Sequence, residues 1–345
     1  MKSNSREVLF GFIIFISFLL ISVIFYAYQI FYTPNFQVGK KEVVFYIHRD
    51  TDFKEVLRSL KKDTIIHDPM SFAFVSRLLN YQDHVKPGRY LIKKNMNNLA
   101  LVRTLRAGLQ HPVKVTFNNI RIKQEFAKKI ANYLDFKENE LLQLLKDSSI
   151  TLKYGFDTTN ILSMFIPNTY EFYWTTSPEV FIKRMHQEYQ KFWNKTRTSK
   201  AKSLGLSLQQ VSVLASIVQA ESNMSQEKPR IAGVYINRLQ KRMKLEADPT
   251  LVFALGDFSL KRVLNRHKQI ESPYNTYQNE GLPPGPINMP SIQSIDAVLN
   301  YEKHDYIFFC VKEDLSGSHN FAATYEEHQK NARLLHAALD LKGIR

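Results

Sequence analysis

One carboxylate is distinguished by its position on a predicted helix. Ser207 is a good N-cap, and the residues after it repeat at the spacing of a buried helical face, formed by Val211, Leu214, Ala215 and Val218. Glu221 follows three residues after Val218, so it projects from the same apolar face near the helix end. Burial there would raise the pKa of the carboxyl by disfavouring its charged form. A carboxylic acid protonated near neutral pH can act as the general acid in glycosidic cleavage.

Two other interpretations of Glu221 remain open at this point. The side chain can extend past the helix end into solvent, or it can pair with Arg238 or Lys228. Perturbed carboxyl groups cluster at functional sites as a tendency and not as a rule. The helix pattern alone therefore leaves the catalytic interpretation as one of three.

Later stretches supply the groups expected in a carbohydrate groove. A second helix over residues 230–239 has Tyr235 on its apolar face, and a polar turn follows over residues 244–250. Residues 272–277 and 281–287 then form two loops in which proline stiffens the backbone, asparagine and threonine offer hydrogen bonds, and tyrosine offers flat faces. The predicted substrate-binding residues are Asp248, Tyr274, Asn275, Tyr277, Pro283 and His319. The alternatives are an ordinary proline-rich surface loop and, for Asp248, a turn former before Pro249.

The sequence gives no sign of a metal or cofactor site. His319 and His328 are nine residues apart, with no cysteine nearby and no helical i, i+4 spacing, which argues against zinc. Cys310 lies in an apolar strand pattern and is interpreted as a packing residue, not a nucleophile. We therefore predict no metal and no cofactor.

Length and composition set the class of protein. The chain has 345 residues, 44% of them hydrophobic, so it can bury a core and is not a disordered or fibrous protein. A single cysteine excludes an intramolecular disulfide framework. The 47 Lys and Arg residues against 32 Asp and Glu give a net charge of +15, which suits an anionic partner. A generally solvated basic surface is the alternative.

The first forty residues predict a membrane anchor. Residues 8–28 carry no charge and, as a helix, would span about 31 Å, the thickness of a bilayer core. Lys2 and Arg6 precede this run and Lys40 and Lys41 follow it, so the positive-inside rule places the N-terminus in the cytoplasm and the rest outside the plasma (inner) membrane. A cleaved signal peptide is the alternative. Outside the membrane, nucleic acid is not an expected partner, and the positive charge fits an anionic envelope polymer or lipid head groups.

The remaining chain predicts two α+β regions. The first has a strand at 43–47, helices at 52–61 and 69–79, a strand at 89–93 and a helix from Asn98 to Gly108. This order is that of a LysM-like module, and it is also shared by many other small α+β units. The second begins with a strand at 110–117 and helices at 123–133 and 139–146, followed by a helix at 178–192. The basic stretch 195–202 shows no cap residue and is predicted to be a solvated loop.

Six motifs in order carry a family resemblance. LASIVQAES, VYINRL, LEADPT, SPYNTY, GLPPGPI and SGSHNFAATYEEH closely resemble the MltG-type (YceG-like) endolytic murein transglycosylases. The resemblance implies an α+β protein with one transmembrane helix, a LysM-like module and a catalytic domain with a cleft. The expected division is 1–7 cytoplasmic tail, 8–28 transmembrane helix, 29–42 linker, 43–109 LysM-like module and 110–345 catalytic domain. The catalytic glutamate of the family falls on Glu221.

The same resemblance implies the reaction and its setting. The bond cleaved would be the MurNAc-β-1,4-GlcNAc bond of nascent peptidoglycan, without hydrolysis, leaving a 1,6-anhydroMurNAc end. The enzyme would help to control strand length during elongation, with the glycan polymerases and elongation machinery as partners. Two competitors remain: a catalytically silent peptidoglycan-binding scaffold, and a hydrolase that pairs Glu221 with Asp248 or Glu246.

The sequence also departs from the family pattern. Glu246 stands where glutamine is common, and Arg242 stands where glycine is common. Residues 117–120 replace a Pro-Glu-Gly sequence, and residues 289–291 replace a more usual Asn-Pro-Gly. None of these differences alters Glu221, but Glu246 could add a second carboxylate to the groove.

Overall fold

The computed structural model describes residues 3–36, 38–39, 41–260 and 262–341. Lys2 and Lys40, two of the charges used to orient the anchor, lie outside these residues. The chain forms two compact units. One comprises Met1–Lys114 and Glu171–Thr176, and the other comprises Val115–Tyr170 and Ser177–Arg345.

The first unit begins with a long apolar helix, α1 (Ser3–Tyr32), which contains the predicted span 8–28. Its stretch Arg6–Tyr32 is long and apolar enough to cross a membrane, and its large apolar side chains from Val8 to Tyr28 are exposed. A signal sequence would meet the same criteria of length and composition. The helix therefore agrees with an anchor or a signal sequence.

The small elements of the first unit include the predicted strand, two helices, strand and helix in that order, together with two short strands that were not predicted. They are β1 (Pro34–Phe36), β2 (Glu42–Ile47), α2 (Phe53–Lys62), α3 (Pro69–Leu78), β3 (Gly88–Lys93), β4 (Met96–Asn97) and α4 (Asn98–Ala107), of which β1 and β4 are the two unpredicted strands. Strands β2 and β3 are antiparallel, with Glu42 opposite Lys93 and Ile47 opposite Gly88. Asp52 and Asp68 cap α2 and α3, and Gly108 ends α4 with φ of 72°.

The segment predicted to be a linker, residues 29–42, belongs instead to this small fold. It contains the last turn of α1, all of β1, which pairs with β4, and the beginning of β2. Phe36 is fully buried in the core of the unit. The side chain of Asn35 fixes the segment, since it donates to the Asp68 carbonyl at 2.8 Å and accepts from the Asp68 backbone N–H at 2.6 Å. A contact between residues so distant in sequence gives no local pattern.

Beyond residue 107 the chain is mostly helical. The elements are β5 (Val113–Phe117), α5 (Lys123–Ala131), α6 (Glu138–Lys146), α7 (Ser148–Lys153), β6 (Asn168–Phe172), α8 (Pro178–Phe192), α9 (Lys195–Ser203), α10 (Leu208–Glu221), α11 (Lys228–Gln240), α12 (Asp248–Leu255), α13 (Ile292–Leu299), β7 (Phe308–Val311), β8 (His319–Ala322) and α14 (Tyr325–Leu341). Strands β7 and β8 are antiparallel, with Val311 opposite His319.

The prediction of a loop over residues 195–202 is wrong, because this stretch lies in the helix α9. Asn194 supplies the N-cap, accepting from the Arg197 backbone N–H at 3.1 Å. The Arg197 guanidinium then pairs with both carboxylate oxygens of Asp296, at 3.0 and 3.1 Å. Lysine, arginine and alanine are good helix formers, so the absence of an apolar face did not exclude a helix here.

Helix α10 is the central helix of the second unit. It packs against α11, α12 and α13, and every residue from Val211 to Val218 is buried. The predicted apolar face therefore extends around the helix. The proline-rich loop over residues 281–289 also holds it: Ile287 donates its backbone N–H to Ser216 Oγ at 3.0 Å, and Asn288 donates to the Ser216 carbonyl at 2.9 Å. These contacts fix the helix end that bears Glu221.

Candidate functional site

Glu221 is the last residue of α10, and its carboxyl group is partly buried. Tyr235, on the neighbouring α11, donates its hydroxyl to Glu221 Oε1 at 2.6 Å. Burial raises the pKa of Glu221 to about 7; the Tyr235 hydrogen bond opposes this rise, and the negative charge of Asp248 adds to it. Near neutral pH this carboxyl therefore exists in both protonation states, as a group that first donates and then accepts a proton requires.

The two cations proposed as alternative partners are engaged elsewhere. Arg238 Nη1 pairs with Glu246 Oε2 at 3.0 Å and also donates to the carbonyls of Lys244 and Leu245. Lys228 Nζ donates to Ser294 Oγ at 3.1 Å. Glu221 therefore keeps a tyrosine hydroxyl as its partner, and no arginine or lysine in the described part of the chain forms an ion pair with it.

Glu221 and Asp248 lie where two cavities meet. The first, here called the sheet-side cavity, has a volume of about 540 Å³ and is also lined by Tyr235, Tyr277, Phe309 and His319. The second, the arginine-side cavity, has a volume of about 510 Å³ and is also lined by Arg121, Phe258 and Arg262. Glu221 and Asp248 are the residues that line both. Together the two cavities form a groove that continues on either side of the carboxyl.

Asp248 and Tyr277 form a second hydrogen-bonded pair in the groove. Asp248 is exposed and is the first residue of α12, with Pro249 at the second helical position. Tyr277 donates its hydroxyl to Asp248 Oδ1 at 2.6 Å. The nitrogen of Lys268 lies 4.6 Å from the centre of the Tyr277 ring, which covers one ring face. The loop of Tyr277 and the start of α12 are thereby joined beside Glu221.

His319 lines the sheet-side cavity, as predicted for the groove wall. The carboxylate of Glu227 holds it at two points: Oε1 accepts the His319 backbone N–H at 2.9 Å, and Oε2 lies 2.9 Å from Nδ1. The edge of the imidazole faces Phe309, with ring centres 5.4 Å apart. Glu227 thus fixes the direction in which the ring is presented.

The other three predicted binding residues lie away from Glu221. Asn275 is fully buried; its amide donates to the carbonyls of Lys268 and Ile270, and its oxygen accepts from the Tyr277 N–H at 3.0 Å. Tyr274 packs on Phe253 with ring centres 4.7 Å apart. Pro283 is buried beside a separate cavity of about 480 Å³ that Ser207 also lines, at the opposite end of α10. Substrate contact by these three remains a prediction.

Sequence reasoning missed the role of Tyr235 and placed it merely on an apolar helix face. Its side chain is 2% exposed, and a buried tyrosine hydroxyl needs a hydrogen-bond partner, so its place on a buried face was a usable signal.

Glu246, considered as a second carboxylate, does line the sheet-side cavity but is paired with Arg238. Cys310 lies on β7 as expected, yet it is partly exposed and lines the same cavity; burial raises the pKa of its thiol, which disfavours the nucleophilic thiolate.

Comparison with known proteins gives consistent matches over most of the chain. The sequence model of the YceG-like family matches residues 45–334. The endolytic murein transglycosylase of Bacillus subtilis is 30% identical over 287 residues, covering 79% of this chain and 78% of that protein. The endolytic murein transglycosylase of Streptococcus pneumoniae D39 is 27% identical over 323 residues, covering 85% of this chain and 58% of the streptococcal protein. The crystal structure of a yceG-like protein from Listeria monocytogenes superimposes with a TM-score of 0.56 at 27% identity, covering 85% of this chain and 99% of that one.

Proposed function

The chain belongs to the YceG-like family, and on that basis we propose that it is a membrane-anchored endolytic lytic transglycosylase of peptidoglycan. The observation that carries the proposal is the Glu221 carboxyl, whose pKa is raised to about 7 and which lies where the two cavities meet. A groove that continues past the carboxyl on both sides can accept an internal bond of a long strand, which supports endolytic cleavage.

In the proposed reaction, Glu221 uses its proton twice. The protonated carboxyl donates to the glycosidic oxygen between MurNAc and GlcNAc, and the bond from that oxygen to C1 of MurNAc breaks. The resulting carboxylate takes the proton of the C6 hydroxyl of the same MurNAc. At the same time the C6 oxygen forms a bond to C1, which leaves a 1,6-anhydro end. No water is consumed, and the proton balance of Glu221 is restored. The N-acetyl group of the substrate is proposed to stabilise the oxocarbenium-like intermediate stage.

Residues around Glu221 are proposed to tune and orient this step. Tyr235 stabilises the carboxylate formed after proton donation, and the Asp248–Tyr277 pair borders the bound sugar from α12. His319, held by Glu227, presents its ring to the sheet-side cavity, where it can contact a sugar hydroxyl. Each of these side chains lines the same groove as Glu221.

The cellular role follows from an anchor at the N-terminus. If α1 spans the plasma membrane with its N-terminus in the cytoplasm, cleavage takes place outside and close to the bilayer, where new glycan strands emerge. We therefore propose that the enzyme helps to set strand length during elongation, with the peptidoglycan polymerases and elongation machinery as its partners.

The proposed function is tested by the end groups of the products. The full chain in nanodiscs is incubated with uncrosslinked glycan, and the products are examined by mass spectrometry for 1,6-anhydro ends. We expect such ends from the wild type, and a rate lower by about 10²–10⁴ in Glu221→Gln, because this removes the general acid and base. Glu179→Gln, on the exposed face of α8, is the matched control. Equal product yield from Glu221→Gln would contradict the assignment, and absence of cleavage by every variant would favour a silent scaffold.

A hydrolase is the second candidate, favoured by the position of Asp248 beside Glu221 in the groove. Hydrolytic glycosidases commonly use two carboxyl groups, one of them to activate water or attack the sugar. Digestion in ¹⁸O-labelled water separates the two reactions. A hydrolase places the label on the new reducing end, whereas the transglycosylase gives unlabelled anhydro ends.

A further inference from the structure

The two cavities beside Glu221 differ in what their cationic side chains contact. In the sheet-side cavity, Arg238 is paired with Glu246, and Lys268 lies over the Tyr277 ring. In the arginine-side cavity, the guanidinium groups of Arg121 and Arg262 make no hydrogen bond or ion pair with any residue that the structure describes. Among the described residues, two guanidinium groups without an ion pair therefore lie on one side of Glu221, against one ammonium group without an ion pair, that of Lys268, on the other.

The protein holds Arg121 in a defined place and leaves its donors free. Its guanidinium carbon lies 4.6 Å from the centre of the Phe258 ring, so the planar group lies over an aromatic ring. Its backbone N–H donates to Glu125 Oε2 at 3.1 Å, which fixes the backbone just before α5. A guanidinium covered on one face still presents N–H groups along its edge, the arrangement that suits bidentate binding of a carboxylate.

Neighbouring amides complete an anion-binding surface. The side chains of Asn119 and Asn223 are exposed in the arginine-side cavity and form no hydrogen bond within the described part of the chain. The carboxylates lining this cavity are Glu221 and Asp248, both at the junction, whereas the sheet-side cavity has Glu246 in addition. Besides Glu221, two arginines face one carboxylate on the arginine side, whereas two cations face two carboxylates on the sheet side, so an anionic group next to the cleaved bond is attracted more strongly to the arginine side.

We propose that the arginine-side cavity binds the carboxylates of the peptide stem on the MurNAc residue whose C1 is attacked. This inference rests on the proposed function. The sugar rings of a peptidoglycan strand are uncharged, and its carboxylates are carried by the peptides on the lactyl groups of MurNAc. Binding one stem on the arginine side sets the direction in which the strand crosses Glu221, and it places a MurNAc, rather than a GlcNAc, at the carboxyl. The cavity therefore determines which of the two alternating bonds is cleaved.

The test compares two substrates that differ in the peptide alone. Uncrosslinked glycan is used as such and after an amidase has removed its stems; because this hydrolysis frees a lactyl carboxylate on each MurNAc, the stripped strands are converted to their neutral lactyl methylamides before use. Both are assayed with the full chain in nanodiscs. For the wild type we expect KM to be about tenfold lower on the strands with stems, a difference that corresponds to one or two charge-assisted contacts. In Arg121→Gln/Arg262→Gln this preference should disappear, because kcat/KM should fall about tenfold on the strands with stems and by much less on the stripped strands. Raising the salt concentration should reduce the preference of the wild type.

Controls separate this inference from general charge effects. Lys183→Gln/Lys202→Gln removes two exposed positive charges outside the groove and should keep the preference for stems. Arg121→Lys keeps the charge but not the planar fork and should retain part of the preference. Equal loss on both substrates in Arg121→Gln/Arg262→Gln, or no loss on either, would overturn the inference.

Binding can also be measured without cleavage. We would measure the affinity of both substrates for two proteins. One is the Glu221→Gln chain, and the other is the same chain that also carries Arg121→Gln/Arg262→Gln. We expect weaker binding of strands with stems when the arginines are replaced, and equal affinity in both backgrounds would overturn the inference. If the wild type gives no anhydro ends from either substrate, the proposed function fails, and this binding experiment still decides the role of the arginines.

Discussion

At the scale of single residues, the protonation state of Glu221 is a balance of three influences. Burial raises its pKa most, the Tyr235 hydrogen bond lowers it, and the charge of Asp248 raises it again. The result, a pKa of about 7, allows both proton donation and proton acceptance at neutral pH. Because Tyr235 and Asp248 act in opposite directions, replacing each should move the pH dependence of activity in opposite directions.

Replacing Tyr235 by phenylalanine should move the alkaline limb of the kcat/KM profile to higher pH. The hydroxyl donates to the charged form of Glu221, so its loss disfavours ionisation and raises the pKa further. A hydrogen bond to a charged group contributes about 1.5–3 kcal/mol, and we expect a shift of about one pH unit. The maximal rate should fall about tenfold, since the carboxylate formed in the reaction loses its partner. Tyr189→Phe is the control, because that buried hydroxyl has no partner among the described residues; an unshifted limb in Tyr235→Phe would contradict the role.

Replacing Asp248 by asparagine should move the same limb to lower pH. Removing a negative charge beside Glu221 favours its ionised form and lowers its pKa, while asparagine can still accept from Tyr277. The acid form of Glu221 is then lost at lower pH, and activity at pH 7 should fall by severalfold, which a pH series of initial rates measures. Asp305→Asn, at an exposed position outside both cavities, should leave the profile unchanged. A shift to higher pH would show that the charge of Asp248 does not act on Glu221.

At the scale of elements, the Glu221 carboxyl and its partner Tyr235 lie on two packed helices. Glu221 ends α10 and Tyr235 lies in the middle of α11, so the 2.6 Å bond between them depends on how these helices are held. Helix α11 approaches residues 302–304 closely: Glu302 donates its N–H to the Pro229 carbonyl at 2.9 Å, and His304 Nε2 lies 2.9 Å from the Arg230 carbonyl oxygen. Gly233 makes this approach possible.

Gly233→Ala should destabilise the protein even though alanine is the better helix former. A Cβ atom at this position would overlap the carbonyl oxygen of Glu302 and come within 2.6 Å of His304 Nε2. Overpacking costs about 1–3 kcal/mol, whereas the gain in helix propensity is about 1 kcal/mol. We expect a lower melting temperature, and lower activity because α11 carries Tyr235. Lys183→Ala, on the exposed face of α8, should leave both unchanged. A higher melting temperature for Gly233→Ala would show that α11 has room at this contact.

Local sequence patterns predicted the helices and strands well, but they predicted the contacts between distant segments poorly. The apolar spacing after Ser207 predicted α10 and placed Glu221 at its end, and the motif sequence pointed to Asp248, Tyr277 and His319, all of which line the groove. Asn275 and Pro283 had suitable residue types but are buried away from Glu221. Tyr235, Glu227 and Arg121 were missed as site residues because their roles arise from packing between distant segments. Helix α9 was missed because its cap, Asn194, lay just before the stretch considered.

At the scale of the whole molecule, two features bear on where the chemistry takes place. The chain carries a net charge of +15, and its apolar helix α1 leads into a small α+β fold through β1, in which Asn35 and Phe36 are buried. Asn98 Nδ2 donates to the Ile30 carbonyl at 2.8 Å, and Ile30 and Phe31 pack on the core of this unit. The end of α1 is thus fixed to the fold that follows it, so an anchored α1 would hold that fold near the membrane surface.

An uncleaved anchor predicts that the full-length chain stays in the membrane. We expect the protein to remain in the pellet after washing with alkaline carbonate and to retain its N-terminal sequence by mass spectrometry. Phe15→Lys/Ile16→Lys places two charges in the middle of α1, at a cost of about 2.5–3.5 kcal/mol each on insertion scales, and should release the chain into the soluble fraction. Phe15→Leu/Ile16→Leu is the apolar control. Recovery of a shortened, soluble wild-type chain would identify the helix as a cleaved signal sequence, and the groove of Glu221 would then act on glycan without being held at the bilayer.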